Sequence, residues 1–115
     1  MRRARQIVVA VAVSALCLGQ AIPAQASVVV RAKCNFYDPK SVSIHHGTRV
    51  VWRGACGTHT VTAYGGNWSK DVTISKGETT GKTFKKAGTF KFRCRFHSSL
   101  SNGVCSGMCG KVRVT

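Results

Sequence analysis

Apolar and polar residues alternate in short segments along this chain, and the segments recur at roughly ten-residue spacing. The clearest alternation lies in residues 89–96, where one face carries Phe90, Phe92, Cys94 and Phe96 and the other carries Thr89, Lys91, Arg93 and Arg95. A period of two is typical of a β-strand with one buried face. No segment of comparable length has a helical period. The pattern therefore predicts an all-β fold, an antiparallel sandwich or barrel.

Eight strands are predicted, and glycine or other turn residues separate them. They cover residues 28–34, 41–45, 48–53, 59–63, 72–75, 81–84, 89–96 and 110–115. The alternation in the seventh strand places Cys94 on the inward face, among aromatic side chains. The cations of its other face are predicted to lie in solvent. We also expect Trp52 to lie in the core and the adjacent His45 and His46 to be exposed turn residues.

The first 26 residues have the features of a secretory signal. Arginines at positions 2, 3 and 5 precede an apolar run at 7–18, and Ala24-Gln25-Ala26 has the small-x-small pattern of a cleavage site. The apolar run is too short to span a bilayer, which takes about 20 residues. We therefore expect residues 1–26 to be a signal peptide and residues 27–115 to form one domain of a secreted or cell-envelope protein.

The predicted domain contains an odd number of cysteines, namely Cys34, Cys56, Cys94, Cys105 and Cys109. In an oxidising compartment four of them can form two disulfides, and the fifth is a free thiol unless a metal occupies it. Cys94 is the natural free cysteine because His97 follows it three residues later. The pairing of the others cannot be read from spacing, since four cysteines allow three connectivities.

Positive charge dominates the composition. The chain has 18 lysines and arginines against three acidic residues, a formal net charge of +15, and without the three signal arginines the domain keeps +12. Such a field favours partners with acidic docking surfaces, or attraction to an anionic envelope. The cations are scattered over several strands without interleaved exposed aromatic residues, and export argues against contact with nucleic acid, so we expect no nucleic-acid partner.

Four residues have the chemistry of a copper site. Cys94, His97 and Met108 lie in the run Cys-Arg-Phe-His, ten residues, Met-Cys-Gly, and His59 lies upstream in Thr-His-Thr-Val. A thiolate, two imidazoles and a thioether suit copper that cycles between Cu(I) and Cu(II). Zinc accepts the same His2Cys set, but the methionine and the β-sandwich pattern favour copper. The residues therefore predict one copper ion and an electron-transfer role.

Residues 36–115 resemble the cupredoxins, specifically the small plastocyanin-like single-domain blue copper proteins. The segments FYDPKSVSI and GTRVVW at 36–52 are similar to the family's Phe-x-Pro and Gly-x-x-Val-x-Trp strands. The segment HTV at 59–61 is similar to the one that holds the family's first copper histidine. GTFKFRCRFH at 88–97 and GMCGKV at 107–112 are similar to its Cys-x-x-His run and its closing Gly-Met-x-Gly.

The resemblance implies a Greek-key β-sandwich of about eight strands, with copper near one end. It implies that His59, Cys94, His97 and Met108 are the ligands, the last three from one loop. The stretch between His97 and Met108 is longer than in the family's smallest members. Side chains just after the first His and the Cys often link the two ligand loops in plastocyanin-like proteins. These positions are Thr60 and Arg95 here.

The cysteines near the ligands predict that disulfides brace both ligand loops. Cys105 and Cys109 flank Met108, and Cys56 lies three residues before His59. We expect the pairs Cys56–Cys105 and Cys34–Cys109. Such bracing would hold the ligands near one geometry whether or not metal is bound.

The favoured function is a secreted one-electron carrier between redox partner proteins, with exchange through His97, which corresponds to the family's partly exposed second histidine. We expect a monomer that is not an enzyme, since a copper oxidase or reductase would need further histidine-rich metal sites. One alternative is a copper storage or delivery protein without redox turnover. Another is a basic, disulfide-stapled module that binds anionic polymers without metal.

Overall fold

A computed structural model describes residues 26–115, so the predicted signal peptide lies outside the described residues except for Ala26. Nine strands and no helix occupy the described range, and nothing in it therefore forms a helix long and apolar enough to cross a bilayer. The strands are β1 Ser27–Ala32, β2 Tyr37–Asp38, β3 Ser41–Ile44, β4 Arg49–Gly54, β5 Thr58–Tyr64, β6 Asp71–Ser75, β7 Thr79–Thr83, β8 Gly88–Ser101 and β9 Val104–Val114.

The strands form two sheets, in the orders β2-β1-β4-β7 and β3-β9-β8-β5-β6. The pairs β1–β4 and β3–β9 are parallel and the others are antiparallel. Because the chain passes repeatedly from one sheet to the other, residues distant in sequence meet in a shared core. The predicted all-β sandwich is confirmed, and each of the eight predicted strands overlaps an observed one. The expected purely antiparallel pairing is wrong at two places, because β1–β4 and β3–β9 are parallel.

Aromatic rings join the two sheets across the core. Trp52 on β4 is fully buried, as predicted, and its ring centroid lies 5.2 Å from that of Phe92 on β8 in an edge-to-face arrangement. The Tyr37 ring also packs edge-to-face on Phe92, with the ring centroids 4.8 Å apart. Edge-to-face pairs of this kind add to the free energy gained by burying the rings. Phe92 is thus the centre of the contact between the sheets.

The ninth strand, β2, was not predicted. It is two residues long and pairs with the end of β1 through Arg31↔Asp38 and Ala32↔Tyr37. A segment of two residues is too short to show an alternating pattern. Its role is to place the Tyr37 ring in the core.

The predicted long loop between His97 and Met108 is a β-hairpin. The outer parts of β8 and β9 pair from Ser98↔Gly107 to Ser101↔Val104, and Asn102 and Gly103 make the turn. Both turn residues have positive φ, 51° and 78°. An Asn-Gly pair favours this two-residue turn because both residues tolerate the left-handed region. The local signal was present in the sequence, and the hairpin extends one end of the five-stranded sheet.

We predict that Phe92→Ala lowers the free energy of unfolding by about 3–5 kcal/mol, because it opens a cavity where the sheets meet. Chemical denaturation of the purified protein measures this loss. Lys91→Ala is the matched control, since Lys91 is the exposed neighbour on the same strand and its loss should change stability by less than about 0.5 kcal/mol. Equal losses in the two variants would contradict the assignment of Phe92 as the centre of the core.

Candidate metal centre

The pairing of β8 with β9 is interrupted at the predicted ligand run. Arg93 pairs with Cys109, and the next pair is Ser98 with Gly107. Four residues of β8, 94 to 97, therefore face Met108 alone on β9. Cys94 is fully buried and is the free cysteine of the described residues, as predicted.

The interruption also overturns one prediction. Phe96 was expected on the inward face with Phe92 and Cys94, but 55% of its surface is exposed. Side chains alternate only while a strand stays regular, and the extra residues on β8 break the alternation after Cys94. Because of this break, the His97 ring lies next to the Cys94 sulfur.

Three of the four predicted ligands converge on one point. The Nδ1 atoms of His59 and His97 lie 3.7 and 3.4 Å from the Sγ of Cys94, and 3.2 Å from each other. A point equidistant from three atoms at these separations lies about 2.0 Å from each, close to the ~2.0–2.3 Å of metal bonds to histidine nitrogen and thiolate sulfur. The three donors therefore fit a metal ion of this size without rearrangement.

His59 presents Nδ1 to this point because its other nitrogen is engaged. Nε2 of His59 lies 2.5 Å from the carbonyl oxygen of Cys56. A carbonyl only accepts hydrogen bonds, so Nε2 carries the proton and Nδ1 keeps its lone pair. The His59 side chain is fully buried, whereas His97 is exposed. The cluster thus has one protected and one solvent-facing imidazole.

The Cys94 sulfur accepts a backbone hydrogen bond. The N–H of Thr60 donates to Sγ at 3.4 Å, which fixes the position of the sulfur beside β5. The carbonyl of Thr60 accepts a hydrogen bond of 2.6 Å from the Tyr37 hydroxyl. Burial first, and then the charge of Cys94, raise the pKa of Tyr37 above its usual range, with Arg93 opposing them. Tyr37 therefore stays a neutral donor that fixes the peptide next to the thiol.

Thr60 and Arg95, which directly follow the first histidine and the cysteine, link the two ligand segments. The backbone N–H of Arg95 donates to the Thr60 hydroxyl at 2.8 Å. The hydroxyls of Thr60 and Thr62 lie 2.9 Å apart, and Thr62 and the Arg95 Nε both contact Asp71, at 2.8 and 3.0 Å. Hydrogen bonds from Thr62 and then Arg95 hold the pKa of Asp71 below its usual range. The network ties the His59 strand to the Cys94 strand.

The predicted disulfide pairing is wrong. The disulfides are Cys34–Cys56 and Cys105–Cys109. Strands β1 and β4 run parallel with Ala32 opposite Gly54, so the residues two positions further along each chain segment, Cys34 and Cys56, lie side by side. Cys105 and Cys109 both lie on β9.

Each disulfide nevertheless braces one ligand segment, as expected. Cys34–Cys56 anchors the turn whose carbonyl accepts the His59 proton. Cys105–Cys109 encloses Met108, a fully buried residue on β9 opposite the interruption. Sequence reasoning missed the Cys56 carbonyl because a backbone acceptor leaves no residue-type signal.

Gly107 permits the close approach of β9 to the ligand run. Its φ is +103°, and a Cβ at this position would lie 2.5 Å from the carbonyl oxygen of His97. Any other residue would be strained and would push the two strands apart. The remaining histidines, His45 and His46, are exposed near the β3–β4 turn and lie outside the cluster, as predicted.

No protein-family model and no curated protein sequence matches the chain. Solved structures do resemble it. A purple cupredoxin from Nitrosopumilus maritimus is 20% identical, with 78% of this chain and 99% of that chain covered and a TM-score of 0.58. Amicyanin from Paracoccus versutus is 27% identical, with 82% and 85% covered and a TM-score of 0.60.

A larger protein contains a similar domain. The copper-containing nitrite reductase from Thermus scotoductus is 21% identical, with a TM-score of 0.68, and the match covers 84% of this chain but 24% of the reductase. In all three comparisons the likeness spans more than three quarters of this chain. The arrangement of both sheets is therefore shared, and not only the hairpin that carries the cluster.

We predict that the two disulfides stabilise the metal-free protein unequally. Replacing Cys34 and Cys56 by Ala should lower the free energy of unfolding by about 3 kcal/mol, and replacing Cys105 and Cys109 by about 2 kcal/mol, because the first pair closes the longer loop. Urea denaturation of both double variants measures the difference. A greater loss from the Cys105–Cys109 pair would contradict this order.

Proposed function

We propose that this chain, a member of the cupredoxins by fold, binds one copper ion and carries single electrons between protein partners after export. The observation that carries the proposal is the convergence of a free, buried Cys94 with the Nδ1 atoms of His59 and His97. When bound there, copper would supply a one-electron couple between Cu(I) and Cu(II). The residues supply a mixed soft and intermediate donor set that both oxidation states accept.

The hydrogen bonds around the cluster suit this role because they join protein groups to one another, so they orient the donors without a metal ion. His59 is oriented by the Cys56 carbonyl, and Cys94 by the Thr60 amide. Donors held in one arrangement by the protein need to move little when the charge of the bound ion changes. This rigidity favours electron transfer over a role in which copper is taken up and released.

We include Met108 as the fourth ligand. Its side chain is fully buried, and the β8–β9 register sets it opposite residues 94 to 97. A thioether is a weak, soft donor of the kind found in the axial position of electron-transfer copper sites. Met108 would thus complete the set from the side of β9.

Electrons are proposed to enter and leave through His97, the exposed member of the cluster. Two exposed apolar residues lie close to His97 in sequence, Phe96 with 55% and Leu100 with 41% of its surface exposed. Apolar surface next to an exposed ligand allows a partner to approach closely and to exclude water. The adjoining end of the sandwich is therefore the proposed contact region for redox partners.

Acidic docking surfaces are the proposed feature of those partners. On the outer face of the five-stranded sheet, Lys91 lies directly opposite Lys111, and Arg93 and Arg113 belong to the pairs two positions away on either side. Like charges in opposite positions destabilise a sheet. The described residues contain only three acidic side chains to balance these cations, and one of them, Asp71, already forms an ion pair with Arg95. An acidic partner or an anionic envelope would relieve this repulsion.

The remaining parts of the proposal follow from the sequence. The signal-like residues 1–26 support export, and we propose a monomer without enzymatic activity of its own. Copper storage or delivery is the competing function. Repeated oxidation and reduction at an electrode without loss of bound copper would favour the carrier, and release of copper on reduction would favour storage.

We predict that adding Cu(II) to the purified protein produces the intense blue absorption of a thiolate-to-copper charge transfer. Absorption spectroscopy during the titration should show saturation at one copper per chain. Colourless binding, or saturation at a different stoichiometry, would refute the site.

Two variants assign the ligands in the same experiment. Cys94→Ser should abolish the blue absorption, because a hydroxyl cannot replace the thiolate. Met108→Leu should keep the colour and shift the reduction potential, since the axial ligand tunes it. A potential that is unchanged in Met108→Leu would remove Met108 from the ligand set.

We also predict that charge steers electron exchange. The rate constant for oxidation of the reduced protein by ferricyanide, an anion, should fall as ionic strength rises from 0.01 to 0.1 M, because the screening length shortens from about 30 to about 10 Å. Stopped-flow absorbance measures the rate. A cationic cobalt complex serves as the control and should show the opposite trend. Rates that do not depend on salt would argue against electrostatic docking.

A further inference from the structure

A groove separate from the metal cluster lies between the segment after β5 and the segment after β7. Its volume is about 550 Å³, within the range of small-molecule sites. None of its lining residues belongs to the cluster. The lining residue on β8, Phe90, precedes Cys94 by four positions, which is about 13 Å along a strand.

The floor of the groove is aromatic. Trp68, Phe84 and Phe90 line it, with ring centroids of Phe84 and Phe90 5.1 Å apart and those of Trp68 and Phe84 5.4 Å apart. Trp68 stacks on buried Trp52 at 6.2 Å, and its indole N–H donates to the carbonyl of Lys91 at 2.9 Å. The indole is therefore held in place before any ligand arrives.

Three lysines surround this floor. Lys82, Lys85 and Lys86 line the groove together with the polar residues Asn67 and Ser69. A fourth lysine, Lys70, lies next to them with its Nζ 5.7 Å from the Trp52 ring. Burial, and then the positive charges of Lys82 and Arg49, lower the pKa of Lys70. Lys70 is thus close enough to Lys82 for the two charges to repel each other.

No carboxylate lines the groove to balance these charges. The described residues contain Asp38, Asp71 and Glu78. Asp71 is bound to Arg95, Glu78 accepts a hydrogen bond from the Ser75 amide, and Asp38 lies on β2. An aromatic floor with uncompensated cations at its edge is complementary to a ligand with a flat ring and a negative charge.

We propose that this groove binds a small organic anion with an aromatic ring, with the ring against the partly exposed Trp68 and the carboxylate, sulfonate or phosphate beside Lys85 and Lys86. Binding does not depend on copper, because no lining residue belongs to the metal cluster. Failure of the groove to bind such an anion would therefore leave the electron-carrier function unaffected, and the reverse also holds.

Titration with naphthalene-2-sulfonate tests it, on the purified protein with and without added copper. The chain has two tryptophans, so two indole N–H signals are expected in a ¹H–¹⁵N NMR spectrum. The Trp68 signal and the amides of Lys85 and Lys86 should shift and saturate. The neutral analogue 2-naphthalenemethanol should bind at least about five-fold more weakly, because it lacks the charge.

Two double variants with the same loss of charge separate this groove from the general positive field. Lys85→Gln with Lys86→Gln should raise the dissociation constant about five-fold, whereas Lys111→Gln with Arg113→Gln, on another face, should raise it less than about two-fold. Equal effects of the two pairs would overturn the proposal. So would shifts confined to other faces, or inorganic sulfate competing as well as the aromatic probe, since sulfate lacks the ring.

Discussion

The interruption of the β8–β9 ladder between Arg93 and Ser98 is the constraint on which the metal centre depends. In a regular strand, residues three positions apart point to opposite faces of the sheet, so Cys94 and His97 could not reach the same metal ion. The extra residues on β8 break this rule at one place. Cys94 remains in the core while the His97 nitrogen returns to within 3.4 Å of its sulfur. The paired hairpin beyond the break keeps the deviation local.

His59 must also lie beside this break, and the strand pairing within the five-stranded sheet places it there. Strand β5 pairs with β8 through Thr62↔Arg93 and its neighbours, so the residues before Thr62 run alongside the interrupted segment. There the ladder is replaced by the contacts of Thr60, whose amide reaches the Cys94 sulfur and whose hydroxyl accepts from the Arg95 amide. The backbone amides of Thr60 and Arg95 thereby both have a hydrogen-bond acceptor.

Local patterns in the sequence predicted most of the strands, the inward position of Cys94 and the histidines that cluster with it, because alternation and side-chain chemistry are local properties. What they could not predict depends on long-range pairing. The Cys34–Cys56 disulfide follows from the parallel register of β1 and β4, which no local pattern reveals. The exposure of Phe96 follows from a break that the apolar alternation conceals. The Asn102-Gly103 hairpin is different, since its turn signal was local.

Positive charge is spread too widely on this domain to select a contact by itself. A formal net charge of +12 on the predicted mature chain attracts anions in general. Selectivity between anions therefore has to come from the other groups on each face. The hairpin end adds an exposed imidazole with Phe96 beside it, and the groove adds the aromatic floor around Trp68. These are different chemistries at separate places on the sandwich. An acidic macromolecule at His97 and a small aromatic anion at Trp68 could therefore bind without competing.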